Sequence, residues 1–259
     1  MNWFAKAEDL VLGYGNHVAM TASSFTLPAE AVVAIIGPNG SGKSTLLHAL
    51  AGVLKPRSGS LRIADLPAVG NRISYVMQSV QYPEGTPITV RETVAMGRYA
   101  QLGWFRPMKR HDRAQVTEAM ERLEITDLAK RHLSELSGGQ RQRVYVAQGL
   151  AQGHEVLLLD EPLTGLDLPS ARKIDKIIHD EREHGHTVVL TTHDLDEARA
   201  ADHVVLMSGR VVANGTPEAV LTRRNLELAY GLGALHDHDH DRKHGSGLFL
   251  DDPAHPEVD

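Results

Sequence analysis

The sequence predicts an α/β fold with a mostly parallel sheet, an antiparallel β subdomain and an inserted helical subdomain. Three observations carry this prediction. Short apolar runs at residues 31–36, 73–77, 155–160 and 187–192 alternate with longer segments of helical periodicity, the pattern of a parallel sheet. Residues 7–12 and 17–27 read as two strands around the Gly13-Tyr14-Gly15-Asn16 turn region. Between about Gly85 and Gly149 the character is mostly helical.

The elements follow in chain order. Residues 31–36 are apolar and partly β-branched, as a buried strand should be. Gly37-Pro38-Asn39-Gly40-Ser41-Gly42-Lys43-Ser44-Thr45 comes next and matches G-x-x-x-x-G-K-[ST], a phosphate-binding loop. Residues 46–51 then read as a helix ending near Gly52. Strand, glycine loop and helix in that order are the context the motif needs. After the strand at 73–77, Thr89-Val90-Arg91-Glu92 is a capping-box pattern opening a short helix. Residues 112–123 form a second, with Val116, Ala119, Met120 and Leu123 on one face. The parallel-sheet character returns at 155–160 and 187–192, around a helix over 170–184 with Pro169 at its start and Gly185 at its end. Asp194-Leu195-Asp196-Glu197 is another capping box. Residues 204–207 and 210–213 flank the hairpin signal Ser208-Gly209, and Thr216-Pro217-Glu218 opens a last short helix. Beyond about Gly231 the chain is His- and Asp-rich and reads as a disordered tail. The expected division is therefore residues 1–230, with the helical part at about 85–150, and a tail at 231–259.

Composition narrows the function. The chain has 259 residues, 42% hydrophobic and 23% charged, ordinary for a soluble globular protein with a large core. Its net charge of -6 argues against a nucleic-acid surface as the main function. It has no cysteine, which removes disulfides and thiol chemistry and suits a reducing cytoplasm. No apolar run approaches the roughly twenty residues of a membrane helix, and the N-terminus lacks the apolar segment of a secretion signal. A membrane role would have to go through a partner.

The motifs supply the chemistry. The loop glycines let backbone amides approach phosphates, Lys43 can reach the β- and γ-phosphates, and Ser44 can hold Mg²⁺. Val156-Leu157-Leu158-Leu159-Asp160-Glu161 is an apolar strand ending in two adjacent carboxylates. Successive strand residues alternate faces, so the two do different work. Asp160 is placed to hold Mg²⁺ or its water, and Glu161 to accept a proton from the water that attacks the γ-phosphate. Ser137-Gly138-Gly139-Gln140, directly before a helical run, makes a second anion site at a helix start.

With these motifs in place, the sequence resembles the ATP-binding subunits of ABC transporters over roughly residues 9–221. The resemblance implies ATP hydrolysis with Mg²⁺ by two copies packed head to tail. Each ATP would lie between the glycine loop of one copy and Ser137–Gln140 of the other. Tyr14 matches the aromatic residue that stacks on adenine. Gln78 matches the glutamine that senses Mg²⁺ and the attacking water. Asp167, in Leu163-Thr164-Gly165-Leu166-Asp167, matches the aspartate that crosses the dimer interface, and His193 the switch histidine on the γ-phosphate.

The resemblance also bears on partners. DNA-repair relatives carry a coiled coil too long for this chain, translation relatives usually hold two ATPase cores, and fused exporters include membrane helices. What remains is a separate-subunit transporter, most simply an importer. It would sit peripherally at the cytoplasmic face of the cell membrane, on integral permease subunits, and serve an extracellular solute-binding protein indirectly. Residues 89–98 and 140–147 are similar to the manganese/zinc importers, and iron-chelate and cobalamin importers are similar there too. A soluble ABC-type ATPase with no transport role is the rival class. The tail run His236-Asp237-His238-Asp239-His240-Asp241, followed by His244, has ligands suited to Zn²⁺, Mn²⁺ or Ni²⁺. A solvated polar tail is the simpler reading, and no structural metal site is assigned from the sequence.

Overall fold

The computed structural model describes residues 3–64, 72–78, 87–102 and 107–231. The expectations for the tail lie outside these residues. An N-terminal sheet is formed by β1 (Trp3–Tyr14), β2 (His17–Pro28) and β4 (Ser58–Ile63), with β1 in the middle and both pairings antiparallel. The β1–β2 pair runs longer at both ends than the alternation at 7–12 and 17–27 implied, from Trp3↔Pro28 to Tyr14↔His17. β4 was not anticipated. It is an edge strand with no fully buried residue, so it carries no hydrophobic alternation to read.

The second sheet holds β3 (Val32–Ile36), β5 (Ile73–Val76), β6 (Val156–Leu159), β7 (Thr187–Thr192), β8 (His203–Met207) and β9 (Val211–Gly215). Their order is β5-β6-β7-β3-β8-β9, parallel except for the β8–β9 hairpin read from Ser208-Gly209. β3, β6 and β7 are buried at every residue because both faces of the sheet are covered. Val33, Ile35, Leu158, Val189 and Val205 point toward the N-terminal sheet and helix α1 (Lys43–Leu50). Val32, Ala34, Ile36, Leu157, Leu159 and Val188 point the other way, into the larger core under the remaining helices. Each fully buried aliphatic side chain contributes about 1.5–3 kcal/mol relative to exposure. Two cores on one sheet therefore hold its strand edges in place.

Among the described residues, three α-helices lie between β5 and β6 in the chain: α2 (Val90–Leu102), α3 (Arg110–Arg122) and α4 (Gly138–Ala151). The Thr89–Glu92 capping box forms. The Thr89 N–H donates to Glu92 Oε2 (2.8 Å) and the Glu92 N–H to Thr89 Oγ1 (3.3 Å). α2 is 13 residues, longer than the short helix expected. It lies so close to α4 that a Cβ on Gly97 would sit 2.2 Å from the Gln148 carbonyl oxygen. Val116, Ala119, Met120 and Leu123 of the α3 segment are all buried, as their spacing required. Arg98 joins α2 to α3 through Asp112 (2.9 and 3.1 Å) and reaches the carbonyls of Ala151 and Gln152.

The C-terminal half adds α5 (Leu168–Glu183), α6 (Leu195–Ala200), α7 (Pro217–Val220) and α8 (Arg223–Tyr230). Asp194 caps α6 by accepting from the Asp196 and Glu197 N–H groups. α8 is the second element that the sequence reading lacked. It is two turns long and opens on Arg223-Arg224-Asn225, which hides the apolar stripe of Leu226 and Tyr230 that packs on the core.

Candidate nucleotide site

Four neighbouring parallel strands, β5, β6, β7 and β3, end at the same edge of the sheet, and each delivers part of one site. Open α/β sheets gather ligands beyond the carboxyl ends of their strands. From β3 the chain enters the glycine loop. A Cβ on Gly37 would lie 2.2 Å from the Met207 carbonyl oxygen, so only glycine lets the loop leave β3 against the end of β8. Gly42, at φ 98°, turns the chain left-handed into α1, whose first turn has no side-chain cap. Its amides face a cavity of about 400 Å³ lined by Tyr14, Asn39, Gly40, Gly42, Lys43, Ser44, Thr45 and Glu161, among others. Pro38 and the buried Ser41 brace the loop from behind, with Ser41 N–H donating to Pro38 O and Gly209 N–H to Ser41 O.

Lys43 is buried and folds back on the loop, donating from Nζ to the carbonyls of Gly37 (2.8 Å) and Pro38 (3.2 Å). Burial pushes its pKa below the ordinary lysine value, and the charges of Glu161 and Asp160 oppose that shift. Ser44 Oγ donates to Asp160 Oδ1 (3.1 Å), so the loop and the end of β6 are joined directly. Thr191 Oγ1, from β7, donates to the same oxygen (2.6 Å) and accepts the Glu161 N–H (2.9 Å). Tyr75, from β5, donates to Asp160 Oδ2 (3.4 Å). Burial first, and then the charge of Asp160, push the Tyr75 phenol well above its usual range, which keeps it a proton donor.

Glu161 sits at φ 47°, a left-handed conformation that a side-chain-bearing residue adopts at a cost of order 1–3 kcal/mol. The Thr191 bond holds it there. Gln78, two residues past β5, donates from Nε2 to Glu161 Oε2 (2.8 Å), and His193 Nδ1 lies 4.0 Å from the same oxygen. Tyr14, about half exposed on the cavity wall, has its hydroxyl 2.5 Å from His48 Nδ1, and the His48 ring meets Tyr75 edge-on.

The structure thus brings together Tyr14, Gly37 to Thr45, Gln78, Asp160, Glu161 and His193. The remaining expected residues form a separate group. Ser137 caps α4 reciprocally: the Gln140 N–H donates to Ser137 Oγ (3.2 Å) and the Ser137 N–H to Gln140 Oε1 (3.0 Å). Gly138 has open space where a side chain would be. A Cβ on Gly139 would meet Asp167 Oδ2 at 2.4 Å and Ser170 Oγ at 2.5 Å. Asp167 caps α5 through the Ser170 N–H (2.9 Å), and that bond holds its carboxyl below the usual range. None of Ser137 to Gln140 lines the cavity around Lys43.

The family model described as ABC transporter matches residues 20–164, more than half of the chain. This protein belongs to the ABC transporter family. It is 37% identical over 230 residues to a chelated iron transport system membrane protein of Yersinia pestis, covering 86% of this chain and 78% of that relative. A manganese transport system ATP-binding protein of Synechocystis is 35% identical over 224 residues, covering 84% and 86%. Among solved structures, an inward-facing metal-chelate type ABC transporter superposes with a TM-score of 0.78 at 31% identity, covering 88% of this chain and 89% of that one. As an ABC transporter ATP-binding subunit, the protein hydrolyses ATP.

Three residues of this ABC site escaped the sequence reading. Thr191 gave no signal, because Asp160 comes to lie beside it only through the register that pairs Leu159 with Leu190. Tyr75 and His48 gave no signal, since a tyrosine in a strand and a histidine in an apolar helix are ordinary core-edge residues.

Proposed function

We propose that this chain is the ATPase subunit of a metal importer, acting as two copies that close head to tail on two ATP molecules. The observation that carries the reading is the split between the two residue groups. The glycine loop and Glu161 line one cavity, Asp160 is bonded to Ser44 of that lining, and Gln78 and His193 converge on Glu161, while the capped Ser137–Gln140 helix start has no contact of this kind with the cavity residues among the described bonds. A second copy offering that helix start would complete each site.

In this reading Tyr14 stacks on adenine, and the loop amides and Lys43 hold the phosphates. Ser44 and Asp160, bonded to each other, and Gln78, bonded to Glu161, bear hard oxygen ligands and would hold Mg²⁺, which neutralises charge on the β- and γ-phosphates when bound. Glu161 accepts the proton of the attacking water, Gln78 orients Glu161, and His193 contacts the γ-phosphate. Asp167, packed on Gly139, couples the interface helix to α5.

The shared site is testable. Ser137→Arg is expected to leave nucleotide binding to the monomer within about twofold while abolishing ATP-driven dimerisation, because a large cation at the helix start opposes closure. ATP-dependent dimers of that variant, seen by light scattering, would contradict the head-to-tail arrangement.

The cargo reading rests on the family resemblance and on the relatives, which are named for chelated iron and for manganese transport. The reading taken is import of a divalent metal such as manganese or zinc, and an iron-chelate cargo, for which one of those relatives is named, is the alternative. No helix among the described residues is long and apolar enough to cross a membrane. The subunit would therefore dock on a permease at the cytoplasmic face and serve an extracellular solute-binding protein indirectly. Native pull-down from gently solubilised membranes, with mass spectrometry, checks this. A multi-helix permease with a metal-type binding protein is the expected catch, and ribosomal or DNA-associated partners in the soluble fraction alone would overturn it.

A further inference from the structure

We infer that His154, Glu181 and His186 form a transition-metal site, separate from the nucleotide cavity. Glu181 and His186 are five residues apart, and His154, 27 residues before Glu181, joins them from a separate segment. His154 lies just before β6, Glu181 is in the last turn of α5, and His186 lies just before β7. Their candidate ligand atoms all lie within 4.8 Å of one another. His154 Nε2 is 2.8 Å and His186 Nδ1 2.7 Å from one carboxylate oxygen, Glu181 Oε2.

Two imidazoles and a carboxylate are a three-ligand zinc set that leaves a fourth position for water. Zn–N and Zn–O bonds of about 2.0–2.2 Å put tetrahedral ligand atoms roughly 3.3 Å apart. The two nitrogens would have to withdraw from Oε2 by about half an ångström, within the reach of small side-chain rotations. His154 and Glu181 are buried, and the more exposed His186 provides a way in.

Arg122 takes the other side of the carboxylate, with Nη1 2.6 Å from Glu181 Oε1, and so turns Oε2 toward the imidazoles. Its positive charge opposes a cation here. Yet hydrogen bonding alone leaves this cluster incomplete. Arg122 Nη2 and His154 Nδ1 are buried without a hydrogen-bond partner among the described residues, while Glu181 Oε1 is ion-paired with Arg122 Nη1. Buried polar atoms are ordinarily satisfied, but these two are not the atoms an ion would take, and the site rests on the convergence of His154 Nε2, Glu181 Oε2 and His186 Nδ1. The site stands at the start of β6 and β7, the strands whose other ends deliver Asp160, Glu161 and Thr191. A bound ion would tie those strand starts to the end of α5 and stabilise the folded chain by mass action.

The test uses the full-length protein, with Co²⁺ as the spectroscopic probe and Zn²⁺ as the competitor. One equivalent of Co²⁺ should give the intense visible bands of four-coordinate cobalt, be displaced by Zn²⁺ and raise the melting temperature. His186→Gln, at a partly exposed position that tolerates the change, should weaken that equivalent by more than roughly 100-fold while leaving metal-free melting and ATPase activity unaltered. His154→Gln should weaken the equivalent likewise, with some loss of metal-free stability because His154 is buried against Glu181. Replacing His236, His238, His240 and His244 together by asparagine should leave the equivalent in place. The proposal fails if the wild-type chain shows no such bands, if His186→Gln retains them, or if the tail variant loses them.

Discussion

Glu161→Gln is expected to slow ATP turnover by roughly 10²–10⁴-fold, the range for losing a general base, while leaving ATP affinity nearly unchanged. The substitution isolates chemistry from structure. Glutamine is isosteric, so it can keep the left-handed turn at this position and the bond from Thr191 Oγ1 to its backbone N–H. Its side-chain oxygen can still accept from Gln78 Nε2. What it lacks is the basic lone pair that takes a proton from water. Single-turnover hydrolysis, measured beside nucleotide affinity, separates the two effects. Wild-type turnover in the purified variant would remove Glu161 from its role and leave the reaction without an assigned base.

Lys43→Met should behave differently. Loss of one donor aimed at developing charge lowers turnover by about 10²–10³-fold, and in the proposed site ATP affinity should fall as well, because Lys43 would meet the phosphates in ground and transition states alike. Methionine can follow the buried stem of Lys43, so the fold should persist. The lost contacts are those of Nζ, which now donates to the carbonyls of Gly37 and Pro38. Removing the ammonium also leaves Asp160 and Glu161 without the charge that both feel across the cavity. Melting temperature and nucleotide titration together check the assignment. An ATP affinity equal to wild type would place Lys43 outside the phosphate site.

These two variants probe residues that stood out in the sequence, and the reason is local. The run from Gly37 to Thr45 is dictated by backbone needs that only glycine meets and by consecutive side chains within the first turn of one helix. Asp160 and Glu161 end an unbroken apolar strand, and Ser137 and Gln140 are the two halves of one helix cap. The all-buried strands β3, β6 and β7 were legible for the same reason, since strands covered on both faces read as continuous apolar runs. β4 and α8 were not, because a half-exposed edge strand and a charge-led two-turn helix take their stability from what they pack against.

By itself, then, the sequence determined the alternating fold, the phosphate loop, the two carboxylates and the signature helix start, because each is set by neighbours within a few residues. Only the tertiary structure decided that Thr191 and Tyr75 hold Asp160, that Gln78 and His193 converge on Glu161, and that Ser137–Gln140 stands apart from the cavity. It alone set His154 and His186 on the carboxylate of Glu181. Those contacts depend on strand order and register, and these follow from how two cores pack on one sheet rather than from any short stretch of chain.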